Sequence, residues 1–134
     1  MKTILKNCKL ITPPFSEEKL YDIFIEGGLI ADIGENLHVE DAKELDLDGH
    51  VVLPGFIDMH CNICEPGFEN IEDISTVSRS AARGGFTSIT CEPNTKPVID
   101  NKTVVEYIIS KSKAQASVNI YPYGSMSIDR KSVV

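Results

Sequence analysis

His60 and Asn62 stand two residues apart in the run Asp58-Met59-His60-Cys61-Asn62. If that run is a strand, alternate side chains share a face, so His60 and Asn62 point one way and Cys61 the other. Imidazoles at both positions would aim at one metal ion. Asn62 supplies a neutral amide instead, a poor donor for zinc in a nitrogen/sulfur site. On its own, His60 also reads as a hydrogen-bonded strand-end side chain. Cys61 and Cys64 form a C-x-x-C, the spacing of redox and zinc motifs. Cys61, on the opposite face, reads more simply as a small apolar side chain packed under a helix. A second run, Thr90-Cys91-Glu92-Pro93-Asn94-Thr95, places Asn94 behind a proline that fixes the backbone. That suits an amide held against a ligand, and it equally opens an Asx turn before Lys96-Pro97. A third, Tyr121-Pro122-Tyr123-Gly124-Ser125-Met126-Ser127, carries turn residues and no decisive chemistry.

The elements that must position these residues follow from patterning. Residues 1 to about 52 read as short strands and turns, a small β lobe. Its clearest piece is a hairpin in which Ile23 and Ile25 alternate with Phe24 and Glu26 before Gly27-Gly28, a pair that supplies the positive φ angles of a two-residue turn. Pro13-Pro14 belongs in a loop or at a strand edge. Residues 39–52 predict a broken strand pair around Asp48-Gly49. From residue 51 the rhythm changes. Residues 51–60 are a nearly continuous apolar strand, and residues 71–83 carry Ile74, Val77 and Ala81 at helical spacing, stopped by Gly84-Gly85. Residues 86–92 are a second strand, Asp100-Asn101 can cap a second helix, and residues 117–121 are a third strand. Strand, helix, strand, helix, strand predicts a parallel α/β layout, apolar on both sheet faces, with its chemistry where strands end.

Composition bounds the rest. The 134 residues hold 13 Lys+Arg against 20 Asp+Glu, a net charge of −7, which disfavours a phosphate-binding face and hence nucleic acid. The opening apolar residues are broken by Lys6, Asn7 and Lys9 before they reach signal-peptide length, and no segment is long and apolar enough for a membrane span, so the chain reads as cytoplasmic. Four cysteines, Cys8, Cys61, Cys64 and Cys91, are too few and too scattered for a disulfide scaffold.

The run from Val52 through Pro54-Gly55-Phe56-Ile57-Asp58-Met59-His60, followed by Glu65-Pro66-Gly67-Phe68-Glu69, resembles the amidohydrolase superfamily and, within it, the dihydroorotases. Ala81-Ala82-Arg83-Gly84-Gly85-Phe86-Thr87 and Cys91-Glu92-Pro93-Asn94-Thr95-Lys96-Pro97 resemble the next two blocks of that family, and the hairpin at residues 22–30 resembles its N-terminal lobe. The resemblance runs over essentially the whole chain. It implies a β-sandwich lobe, begun here by residues 1–52, and a TIM-type barrel of which residues 53–134 form the first part. It also implies a hydrolase of pyrimidine biosynthesis that interconverts N-carbamoyl-aspartate and dihydroorotate, using zinc to activate water and polarise the amide carbonyl. By this resemblance His60 takes the place of the first metal-binding histidine, Asn62 of the second, Cys64 of the arginine that grips the substrate carboxylate, and Asn94 of the substrate-binding asparagine. Asp58 matches the motif's acidic residue and receives no catalytic role.

Two departures lie inside this motif. Asn62 removes a metal ligand, and Cys64 offers neither the fork nor the charge of a guanidinium. Length is a third: a (β/α)₈ barrel takes about 250 residues, and this chain has room for about three strand–helix units, so the barrel is expected to be incomplete and the later ligands to lie beyond Val134. The expectation is therefore a dihydroorotase-like segment, not catalytically competent alone, that holds no stoichiometric zinc. Two rivals stand beside it. One is a non-catalytic scaffold, of the kind that pairs with aspartate transcarbamoylase. The other is a different cyclic amidase, a hydantoinase or allantoinase. Open strand edges predict a homo-oligomer or an aggregation-prone chain.

Overall fold

The computed structural model describes residues 1–12 and 19–126; Pro13-Pro14 and Ser127 lie outside the described residues. The chain divides into two compact units, Met1–Pro54 and Gly55–Val134.

The first unit is a five-stranded sheet built on one long strand, β1 (Lys2–Leu10). The hairpin of β2 (Tyr21–Glu26) and β3 (Leu29–Gly34) pairs antiparallel to one side of β1, with Gly27 and Gly28 at φ +61 and +84 in its turn. On the other side lie β4 (Lys43–Asp46) and β5 (Val51–Val52), which were expected to pair with each other. Both run parallel to β1 instead, β4 along Thr3 to Lys6 and β5 along Lys9 and Leu10. The reason is Asn7, whose φ of +57 breaks the ladder between them, while its side-chain amide bonds Asp46 at 2.9 Å. Cys8, Leu10 and Ile23 form this unit's core.

The apolar run at residues 51–60 is likewise not one strand. Val51–Val52 completes the lobe sheet, and β6 (Phe56–Cys61) opens the second unit. Pro54 has no N–H for a ladder, and Gly55 passes so close to Thr87 that any Cβ there would collide with its side chain. In the second unit β6, β7 (Phe86–Cys91) and β8 (Asn119–Pro122) form a three-stranded parallel sheet in that order. The crossovers are α1 (Ile74–Arg83) and α2 (Lys102–Gln115). α1 begins three residues later than periodicity places it. Asp73 accepts the Thr76 N–H at 2.7 Å and Thr76 Oγ1 reaches back to the Asp73 N–H at 3.2 Å, a reciprocal cap that fixes the start.

The helices cover one side of this sheet, where Ile63, Ile74, Ile89, Cys91, Ile99, Val104, Ile108 and Ile120 are buried together. Fully burying an aliphatic side chain of this size is worth about 1.5–3 kcal/mol. The sheet is covered on one face only. Along β8, Asn119 and Tyr121 are exposed and Ile120 between them is buried, the alternation of a strand covered on one side, while Phe56, Ile57 and Met59 of β6 stay apolar and exposed.

Candidate functional site

The C-terminal ends of β6 and β7 lie side by side because Cys61 and Cys91 are register partners. That register slips between Asp58 and Cys61, where the Asp58 carboxylate accepts the His60 backbone N–H at 2.9 Å and takes it out of the ladder. The residues just past this slip carry the polar cluster. His60, 81% exposed at its side chain, turns Nδ1 to the Glu92 carboxylate at 3.1 Å. Asn62 accepts a hydrogen bond through Oδ1 from the Asn94 side-chain amide. Cys61 turns away and packs against the helix-covered core, while Cys91 is part of that core. Burial pushes the Cys91 thiol up to about 12, and burial also raises the Cys61 thiol.

Sequence reading singled out His60, Asn62, Cys64 and Asn94. The structure brings Asn62 and Asn94 into direct contact and sets His60 on Glu92. Among the described residues Cys64 joins neither pair. It is half-buried in a left-handed turn at φ +57, its carbonyl accepts the Phe68 N–H at 2.8 Å, and among the described residues no hydrogen bond joins it to Asn94. Glu92 is the residue that sequence reasoning missed as a partner. That pairing depends on the register of β6 on β7, which sets His60 within β6 beside the residue that follows β7. Tyr123 was also passed over; its N–H donates to the Cys91 carbonyl at 3.0 Å and its hydroxyl to the Met59 carbonyl at 3.4 Å, tying the third strand end to the first two.

Two loops hold this cluster in place. Lys96 N–H donates to the Pro66 carbonyl at 2.8 Å, and Gly67, at φ +102, lets the first loop lie flat on the Lys96 backbone, which a Cβ would strike. Glu65 anchors the same loop from below. It has no exposed surface, and its carboxylate receives the first α1 N–H, from Ile74, at 3.0 Å, the Tyr107 hydroxyl at 2.8 Å and the Lys111 ammonium. Burial works to raise the Glu65 pKa, and these donors outweigh it, holding the carboxyl below its ordinary value.

The donor set does not fit a zinc ion. A carboxylate on Nδ1 leaves Nε2 free, the orientation found in metal-binding histidines. Yet His60 is one imidazole, the Asn62 oxygen is neutral and already bonded to Asn94, and zinc asks for at least three protein ligands. Among the described residues no group of three or more His, Cys, Asp or Glu is placed to hold a metal ion. Nor is any helix among them long and apolar enough to cross a membrane.

Comparison with known proteins follows the same lines. The family profile described as Dihydro-orotase-like matches residues 49–133. The dihydroorotase of Acetivibrio thermocellus is 44% identical over 128 residues, 96% of this chain and 30% of that protein. The dihydroorotase of Solibacter usitatus is 44% identical over 127 residues, 95% of this chain and again 30% of its own length. This chain thus spans about 30% of the curated relatives it matches. Among solved structures, the L-hydantoinase (dihydropyrimidinase) from Arthrobacter aurescens superposes on 92% of this chain and 27% of its own, with a TM-score of 0.81 and 28% identity. The dihydropyrimidinase from Brevibacillus agri, at 24% identity, TM-score 0.72 and coverage of 95% and 28%, shares the fold.

Proposed function

We propose that this chain, which belongs to the dihydro-orotase-like family, supplies two strand ends of a cyclic-amide hydrolase site of the dihydroorotase kind and does not perform the reaction by itself. The substrate pair would be N-carbamoyl-aspartate and dihydroorotate. The observation that carries this reading is the convergence of His60, Asn62 and Asn94 on the C-terminal ends of two neighbouring parallel strands. Asn94 would offer its amide to the ring amide of the substrate, exchanging its bond to Asn62 for one to the ligand. Cys64, in the place of a cationic anchor, gives the substrate carboxylate no charge to pair with.

The test is direct assay of dihydroorotate hydrolysis and N-carbamoyl-aspartate cyclisation, with and without added zinc. No turnover above a zinc-only blank is expected. Asn62→His combined with Cys64→Arg should not rescue it, because two imidazoles remain short of three protein ligands. Turnover by either protein would overturn the reading, and hydrolysis of hydantoin in place of dihydroorotate would move it to the hydantoinase class.

A second reading, a non-catalytic scaffold for aspartate transcarbamoylase, is favoured by the self-pairing of the cluster, His60 with Glu92 and Asn62 with Asn94. Co-sedimentation with a transcarbamoylase would support it. Self-association belongs to the same proposal: β6 and β8 are the edges of their sheet, and Ile57 and Met59 on β6 are 65% and 66% exposed.

A further inference from the structure

Asn62 follows the end of β6, Asn94 lies just past the end of β7, and the Asn94 side-chain amide donates to Asn62 Oδ1. Asn62 is exposed and Asn94 half-buried. Among the described residues neither side chain has another hydrogen-bond partner. Each amide therefore satisfies the other, and a ligand that enters must take over both ends of their bond. Asn62 Oδ1 then needs a donor and Asn94 Nδ2 an acceptor. A carboxylate brings acceptors alone, and an ammonium or guanidinium brings donors alone. A neutral group with an N–H beside a C=O meets both needs. Because the two asparagines touch, that N–H and C=O must also share one edge. An open-chain secondary amide is trans and turns them to opposite sides. A small ring holds its amide cis and shows both on the same side.

We infer that Asn62 is a recognition residue for an uncharged ring amide, its Oδ1 accepting the ring N–H while Asn94 Nδ2 donates to the adjacent ring C=O. This rests on the reading of these strand ends as a cyclic-amide site, and it assigns Asn62 to ligand contact where the resemblance puts a metal-binding histidine. One hydrogen bond in the free protein becomes two in the complex. The two asparagines are held ready for that exchange, because the loop carrying Asn62 is tied to the loop carrying Asn94 by the Lys96 N–H on the Pro66 carbonyl at 2.8 Å. Little ordering is then left for the ligand to impose. Neighbouring charge selects in the same direction. Asp58 and Glu92 both sit at His60, on its backbone N–H at 2.9 Å and on Nδ1 at 3.1 Å, so an anionic edge would enter beside two carboxylates.

Dihydrouracil, an uncharged ring, is the probe. It is titrated at millimolar concentration into the full chain while heteronuclear NMR follows the side-chain amides of Asn62 and Asn94. Both resonances should move and saturate together. Neither should move with acetate, or with dihydrouracil methylated on both nitrogens, which keeps the carbonyls and loses the donors. Asn62→Leu leaves the ring N–H facing a methyl group, and binding read at Asn94 should weaken by at least about fivefold. Lys113→Ala on α2 should bind as the parent does. Asn62 is exposed, so its variant keeps the fold, which circular dichroism checks. Equal binding of the methylated ring, or unaltered affinity in Asn62→Leu, would overturn the inference. Dihydroorotate is the second arm: if it binds, and binds Asn62→Leu equally well, the inference fails while the cyclic-amide reading stands. No movement with either ring would overturn both.

Discussion

Two carboxylates among the described residues are buried, one in each unit, and they are solved in the same currency but at different range. In the lobe, Asp22 is 3% exposed and takes the Asn7 N–H at 3.0 Å, the Leu37 N–H at 2.9 Å and the Lys6 ammonium at 2.7 Å. Those backbone donors lie 15 residues away on either side, so Asp22 ties strands and turns that are already sheet neighbours. In the second unit Glu65 takes donors from the start of α1 and from Tyr107 and Lys111 on α2, 42 and 46 residues further on. It joins a loop to two helices that nothing local would bring to it. The difference teaches where the strand-end cluster gets its order. Asn62 precedes Glu65 by three residues, so the loop leaving β6 is fixed by a buried charge and not by the exposed cluster. Chemistry at Asn62 or Cys64 can therefore change with little cost to the fold.

The largest expected effect is Glu65→Ala. Removing one partner of a buried pair costs about 3–5 kcal/mol, and the partial exposure of Lys111, 29% at its side chain, puts this case at the lower end, about 3 kcal/mol. The melting temperature should fall by on the order of 10 °C, and the Asn62 and Asn94 amide resonances should move with it. Asp22→Asn should cost about 1–3 kcal/mol and leave those two resonances in place. A variant pair with the opposite pattern would break the comparison.

Acid sharpens the same contrast. For both carboxyls burial alone would raise the pKa, and the lysine and N–H donors outweigh it, so both sit below their ordinary values. A depressed folded-state pKa gives stability that is complete above the unfolded value, about 4, and is lost as pH falls through the folded one. Thermal melts should therefore be flat with respect to these groups above about pH 5 and fall steeply below about 4. The steep limb should shrink in Glu65→Gln and again in Asp22→Asn. An unaltered limb in both variants would mean that other groups carry the acid sensitivity.

Gly67→Ala comes next. Its φ of +102 is strained for any side chain, and the added Cβ would meet the Lys96 backbone. A loss of about 1–3 kcal/mol is expected, together with separation of the two loops that present Asn62 and Asn94. Amide exchange at Lys96, whose N–H is bonded to Pro66, would report it. Protection equal to the parent would show that the loops are held without that close approach.

Much of this was legible in the chain. The Gly27-Gly28 turn, both helices, the three parallel strands and the strand-end position of His60, Asn62 and Asn94 follow from period, caps and turn residues. What escaped has a physical cause in each case. Asn7 redirects the partners of β1 through a positive φ that hydrophobic pattern does not encode. Pro54-Gly55 cuts an apolar run whose hydropathy is continuous. The burial of Glu65 depends on partners more than 40 residues away, and a charged residue beside a proline and a glycine reads locally as a solvated turn. Glu92 was visible as a residue but not as the partner of His60, because that pairing exists only once the register of β6 on β7 is known.

The smallest effect belongs to the most conspicuous residue. His60 is 81% exposed and Glu92 28% exposed at their side chains, so their contact at 3.1 Å is screened by water. Exposed pairs of this kind contribute about 0–1 kcal/mol. His60→Ala and Glu92→Gln should each lower stability by no more than that, and the double variant should lose no more than the sum, since little coupling survives solvent. The backbone should not respond either: Asp58 holds the His60 N–H through its own carboxylate, a bond that the side-chain change leaves intact. Chemical denaturation of the two single variants and the double variant measures this cycle. A coupling well above 1 kcal/mol would mean that the pair is shielded from water, and the cluster would then be a structural element of the fold and not an exposed site resting on Glu65.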